Sequence, residues 1–221
     1  MVAAAVVNLC NTEFNHKCLS YDDNIIKMKK NSAIPAFNDG ESSSDSVRSQ
    51  ILVVIGVAGV GKTTLGHALA GALNARFLDA DDFHPPANVE KMRSGVALTD
   101  ADRDPWLTAL NSELIAANLR GSRIVLACSA LKQRYRESIS QGVAGIAWIF
   151  LDGDRNAIAD RLRLRANHYM PAALLESQFE ALERPIDAVS ISIELSTDEQ
   201  VATVLFALTG QAESVSFAAQ P

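Results

Sequence analysis

Three shortages narrow the reading before any motif is considered. Cysteine is scarce: Cys10, Cys18 and Cys128 are the only ones in 221 residues, and no two form a Cys-x-x-Cys pair. His16, between the first two, does not complete a zinc set, so unpaired thiols in a reducing compartment are expected. Apolar runs are short, and none approaches the ~18 residues that a bilayer span requires. Positive charge is also in deficit, with 20 Lys and Arg against 26 Asp and Glu and a net charge of −6. That balance argues against nucleic acid as the main partner, because phosphate backbones select basic surfaces. It leaves room for a small anion in a local basic pocket. The start, Met1–Val7, has no basic lead, and no arginine precedes Arg48, which disfavours secretory and organelle signals. The cytoplasm is the expected location.

What is present divides unevenly along the chain. Residues 1–50 mix lysines with the polar run Glu41-Ser42-Ser43-Ser44-Asp45-Ser46. Such a segment cannot bury enough apolar surface to offset its ordering entropy, so a disordered extension is expected, with a short helix near Tyr21–Lys30. A domain is expected over residues 51–210 and a tail over 211–221. Ile51-Leu52-Val53-Val54-Ile55 reads as a strand buried on both faces. A helix from Lys62 to Asn74 follows, with Leu65, Leu69 and Leu73 four apart on one face. Further strands are expected at Ala75–Leu78, Ile124–Cys128, Ile146–Leu151 and Val189–Leu195. Helices alternate with them at Pro105–Leu119, Lys132–Ser140, Arg155–Leu164 and Ala172–Leu182. Asp104 is the expected cap of the first of these, with Pro105 at its first position. Ser196-Thr197-Asp198-Glu199 is a capping box opening a last helix. The alternation predicts an α/β domain, doubly wound around a mainly parallel sheet.

Gly56-Val57-Ala58-Gly59-Val60-Gly61-Lys62-Thr63 matches G-x-x-x-x-G-K-[ST] at every fixed position. The glycines permit torsions that turn successive N–H groups inward toward phosphate oxygens, and the helix opening near Lys62 adds its positive end. Lys62 is expected to reach the β- and γ-phosphates of ATP, and the Thr63 hydroxyl to ligate Mg²⁺. The nucleotide contacts are thus expected from Gly56 through Thr63 and on to Thr64. The motif gains weight from its place, directly after a buried strand and before an amphipathic helix.

Ligands of open α/β sheets collect beyond the carboxyl ends of the strands. The second strand ends at Asp79-Ala80-Asp81-Asp82-Phe83-His84-Pro85, which sets several carboxylates beside the phosphate loop. Phosphoryl transfer needs one acid to organise Mg²⁺ and another to orient the attacking hydroxyl, and by position Asp79 and Asp81 could fill either role. Asp82 is balanced between such a role and capping the next helix. His84, Arg93 and Arg103 offer donors to an anionic substrate, as do Lys132 and Arg136 one helical turn apart after the third strand. The run Arg161-Leu162-Arg163-Leu164-Arg165 suits a lid that neutralises charge during transfer.

Taken together, residues 51–208 resemble a gluconokinase of the small P-loop kinase type, related to shikimate and adenylate kinases. The resemblance rests on Phe77 through Pro85, Asn88 through Gly95, Asp102 through Leu107, and Cys128-Ser129-Ala130-Leu131-Lys132 with Tyr135-Arg136. His168-Tyr169-Met170-Pro171 and Leu175 through Glu183 complete it. It implies transfer of the ATP γ-phosphate to the 6-hydroxyl of D-gluconate, with a helical substrate flap over residues 87–119 and a lid over 161–173. By similarity to the paired aspartates of shikimate kinases, Asp79 would hold Mg²⁺-bound water and Asp81 would orient the hydroxyl. Lys62, Arg161 and Arg165 would assist catalysis. His84, Arg103, Lys132, Arg136 and His168 would contact the substrate, and a homodimer is implied by bacterial relatives. In one departure from many P-loop proteins, the strand Ile124–Cys128 ends without an aspartate, which puts more of the Mg²⁺ role on Asp79. A kinase for another small acid or a nucleotide, or a nucleotide-dependent switch, are the competing expectations. The absence of an Asn-Lys-x-Asp guanine-reading motif weighs against a GTP-driven version.

Overall fold

The structure is a computed structural model that describes residues 51–164 and 172–209. The expected extension over 1–50 and tail over 211–221 lie outside the described residues, as does most of the expected lid.

Five strands, β1 (Ile51–Ile55), β2 (Arg76–Asp79), β3 (Ile124–Cys128), β4 (Ile146–Asp152) and β5 (Val189–Ser192), form one sheet in the order β2-β3-β1-β4-β5. Every pairing is parallel. Ile55 stands level with Cys128 on one side and Phe150 on the other, so β1 is flanked on both edges and its residues are all buried. Successive side chains of β1 point to opposite faces. Leu52 and Val54 join one core cluster, and Ile51, Val53 and Ile55 join the other.

Two buried faces need two layers of helices. α1 (Lys62–Ala72), α5 (Arg155–Leu164), α6 (Ala172–Ala181) and α7 (Thr197–Thr209) supply Leu65, Leu69, Ile158, Leu162, Leu175, Val201 and Val204 to the first cluster. α3 (Asp100–Leu119) and α4 (Gln133–Ser140) supply Trp106, Leu107, Leu110, Leu114, Tyr135 and Ile139 to the second. Each large apolar side chain so buried contributes about 1.5–3 kcal/mol. A 3-10 turn (Ala80–Phe83) and α2 (Pro86–Arg93) connect β2 to α3. No helix among the described residues is long and apolar enough to cross a membrane.

Among the described residues the expected elements are present, with shifted ends. α3 begins at Asp100, five residues before the expected start. Thr99 caps it: its hydroxyl accepts from the Asp102 N–H at 3.2 Å, and Asp102 accepts in return from the Thr99 N–H at 2.8 Å. This reciprocal pair satisfies two of the N–H groups orphaned at a helix start, and it outweighs the Asp104-Pro105 signal. Pro105 therefore lies inside the helix, where the bond its missing N–H would make to Ala101 is lost. Asp82 caps nothing in the 3-10 turn; Asp79 does so, accepting from the Asp81 N–H at 3.1 Å. β5 ends at Ser192, not Leu195, and the Ser196–Glu199 capping box forms as expected.

Candidate active site

β1 ends at the centre of the sheet, where the chain's connections turn away to either side; β2 and β3 lie on one side of it and β4 and β5 on the other. That switch point opens a crevice beyond the strand ends. The loop after β1 fills it. Gly56, Gly59 and Gly61 have φ of +146°, +86° and +104°, torsions that L side chains rarely adopt. At Gly59 space is short as well, because a Cβ there would lie 2.6 Å from the Leu162 side chain of α5. The loop is thus curled and clasped, with α1 opening directly behind it. The Lys62 ammonium folds over the loop and donates to the Val57 carbonyl at 3.0 Å.

β2 brings its acids alongside, since Asp79 pairs in register with Ala127 of β3, one residue short of the level of Ile55. The Thr63 hydroxyl donates to Asp79 Oδ2 at 3.1 Å, while Oδ1 takes the Asp81 N–H. Both Asp79 oxygens are committed. Asp81 does not continue the strand beside it, because the chain has entered the 3-10 turn. Its carboxylate is exposed and accepts no hydrogen bond from the described residues. Beneath these groups Cys128 is buried, and that burial pushes its thiol up to about 12. It stays a neutral core side chain.

Beyond the 3-10 turn, His84 stacks on Trp106 with ring centroids 4.4 Å apart, and Trp106 is itself fixed by donating to the Ala80 carbonyl at 2.7 Å. Burial lowers the His84 pKa below its ordinary value, against the raising influence of Asp81 and with help from Arg103. The imidazole is therefore neutral at pH 7. Arg103 donates to the Leu98 carbonyl at 2.5 Å and lies over the Tyr135 ring, 5.5 Å from its centroid. Lys132 lies 5.6 Å from the same centroid. Three of the expected substrate residues, His84, Arg103 and Lys132, thus gather on one rim.

Arg136 does not join them. Arg136 is 4% exposed, and its guanidinium turns back to donate to the Ala130 and Leu131 carbonyls, each at 3.0 Å, and to Gln133 Oε1. The reason is local: Ala130 has a left-handed φ of +36°, and its carbonyl would otherwise be buried in the bend. Arg161 donates to the Ile193 carbonyl at 2.5 Å, beyond the end of β5. Arg165 and His168 lie outside the described residues.

Asp100 is tied into this rim, although the motifs did not single it out. It accepts from Lys132 at 3.0 Å, from Arg134 at 2.8 Å and from the Tyr135 hydroxyl. The Tyr135 and Lys132 bonds, in that order, hold its carboxyl below the usual range, and Asp100 raises Lys132 in turn. The first residue of α3 is thereby tied to the loop after β3. Nothing local in Thr99-Asp100-Ala101 signals a partner more than thirty residues away.

A looped phosphate cradle, two aspartates with different commitments and a basic rim now stand together. The shikimate kinase family profile matches residues 58–207, well over half of the chain. The chain belongs to the shikimate kinase family. Within it, gluconokinases are close relatives. The thermosensitive gluconokinase of Escherichia coli is 40% identical over 152 residues, covering 69% of this chain and 81% of the relative. The gluconokinase of Arabidopsis thaliana is 39% identical over 179 residues, covering 74% and 95%. Among solved structures, a gluconokinase from Sinorhizobium meliloti superposes with a TM-score of 0.67 at 37% identity, covering 76% of this chain and 95% of that one. The chain is accordingly a kinase of the P-loop type, a phosphotransferase that uses ATP.

Proposed function

We propose that this kinase transfers the γ-phosphoryl group of ATP to the 6-hydroxyl of D-gluconate, giving 6-phospho-D-gluconate. The observation that carries the reading is the meeting of the Gly56–Thr63 loop and Asp81 with the rim of His84, Arg103 and Lys132. Gluconokinase relatives such as those of Escherichia coli and Arabidopsis thaliana supply the acceptor.

In this reading each group has a task set by its surroundings. The loop from Gly56 to Thr64, through its N–H groups other than those of Gly56 and Ala58, and the Lys62 ammonium hold the phosphate chain. Lys62 leaves Val57 when the nucleotide enters. Thr63 and Asp79 offer paired oxygens of the kind a hard divalent cation prefers, and no group of three or more His, Cys, Asp or Glu side chains competes for one among the described residues. They would hold Mg²⁺ together with water and phosphate oxygens, and the ion would neutralise charge on the transferred group. The free Asp81 carboxylate orients the acceptor hydroxyl and takes its proton. Lys132 and Arg103 attract the sugar acid's carboxylate, and neutral His84 hydrogen-bonds a hydroxyl. Arg161 and Arg165 would come from the lid side, Arg161 after releasing Ile193. His168 would close on the substrate from the same side. We include a homodimer in the proposal, to be read from the molar mass in solution.

ADP release measured with gluconate, shikimate, glycerate and nucleoside monophosphates tests the assignment. Gluconate is expected to exceed every other acceptor in kcat/KM by about a hundredfold or more, well inside the roughly 10⁴- to 10⁵-fold discrimination open to a site that hydrogen-bonds its substrate's own polar groups. Folded protein that turns over a different acceptor, or releases ADP at one rate with all of them, contradicts it.

A further inference from the structure

The phosphate loop is held from a distance by a side chain that none of the motifs assigns. The Ala58 N–H, in the middle of the Gly56–Thr63 loop, donates to Gln178 Oε1 at 2.7 Å, across 120 residues of chain. Gln178 lies on α6, and the segment running from α6 to Glu183, two residues past its end, is tied down on both sides of the crevice. Toward the nucleotide half, Glu176 pairs with Arg155 of α5, and the same guanidinium lies 4.8 Å from the Phe179 ring centroid. Toward the substrate half, the Glu183 N–H donates to the Leu131 carbonyl at 2.9 Å, and its carboxylate accepts from the Gln133 N–H at 2.6 Å. Leu131 and Gln133 are the two neighbours of Lys132.

A glycine-rich loop has little rigidity of its own, while a cradle for transferred charge works only if its donors are fixed before the reaction. The packing of Leu162 against Gly59 restrains the loop sterically. Gln178 adds a directional restraint, and it acts from the segment that also grips the Lys132 loop.

We propose that Gln178 is a positioning residue for phosphoryl transfer: through Ala58 it holds the phosphate loop in register with the Lys132 loop, which Glu183 grips from the far end of the same segment. This rests on the kinase reading above. Gln178 is neutral, so it can stand beside a triphosphate without repelling it. A carboxylate of the same length would keep the acceptor and add the repulsion. The geometry thus gives separate signatures for Gln178→Ala, which loses the restraint, and Gln178→Glu, which keeps it at an electrostatic cost.

The test uses full-length protein and two readouts. In Gln178→Ala, kcat is expected to fall about tenfold or more, because small misplacements of reacting groups cost that much, with KM for ATP changed less than about threefold. Amide exchange over the Gly56–Thr63 loop is expected to rise about tenfold in the same variant without nucleotide, with the rest of the sheet unchanged. In Gln178→Glu, exchange stays near that of the parent protein while KM for ATP rises. A kcat within about twofold of the parent, or loop exchange that Gln178→Ala leaves unchanged, overturns the proposal. If the parent protein fails to phosphorylate gluconate, the acceptor assignment fails. The exchange readout, which needs no acceptor, then still decides whether Gln178 holds the loop, and no difference there ends the proposal.

Discussion

Asp79 and Asp81 are two residues apart, yet their surroundings separate them. Asp79 has both oxygens engaged by Thr63 and the Asp81 N–H, whereas the Asp81 carboxylate faces solvent with no hydrogen bond from the described residues. On the proposed reading, proton acceptance falls to the free group. Asp81→Asn is expected to lower kcat about 10²- to 10⁴-fold while ATP affinity, measured by calorimetry, stays nearly constant. A kcat close to the parent's would make Asp81 a bystander of the turn. Arg136 shows the opposite case, a charged residue that chemistry alone suggests for the substrate but that folding uses. Arg136→Met leaves the Ala130 and Leu131 carbonyls without their donor and is expected to cost about 2–3 kcal/mol in denaturant unfolding. KM for gluconate should change little in that variant. A large rise in KM with unchanged stability would return Arg136 to the substrate site.

The elements show what residue patterns can and cannot disclose. The phosphate loop was legible because its chemistry is local: glycines at fixed offsets, then lysine and threonine, between a strand and a helix. The start of α3 departs from the expected one because two local signals compete. Asp104-Pro105 resembles a helix start, but Thr99 and Asp102 close a capping box five residues earlier, and Lys91 pairs with Asp102 at 2.7 Å to reinforce it. Lys91 and Thr99 hold the Asp102 carboxyl well below its ordinary value of 3.8. Its contribution is therefore complete above that value and is lost as pH falls toward the folded pKa. Thr99→Ala is expected to destabilise the protein by about 1 kcal/mol, read from denaturant midpoints at neutral pH. An unchanged midpoint would show that Pro105 and the packing of Trp106 set the helix start instead. Asp100 and Gln178 were illegible for a different reason. Each acts on a loop more than thirty residues away, so only the assembled layers bring them into play.

For the whole molecule, the buried strands and their alternation with helices were sufficient to predict a doubly wound sheet. The order β2-β3-β1-β4-β5 was not in the pattern, because nothing local states which strand lies beside β1. That order makes the site. It places the phosphate loop centrally, the β2 acids on one flank and the Lys132 loop after β3 between them, with the segment from α6 to Glu183 bridging the two halves. In the proposed function these halves meet to phosphorylate one hydroxyl of one sugar acid. Nuclear magnetic resonance of the product formed by full-length protein from ATP and D-gluconate tests this most directly. A single phosphomonoester is expected, its phosphorus coupled to the two protons on C6. A phosphate on any other carbon, or inorganic phosphate in place of an ester, would contradict it.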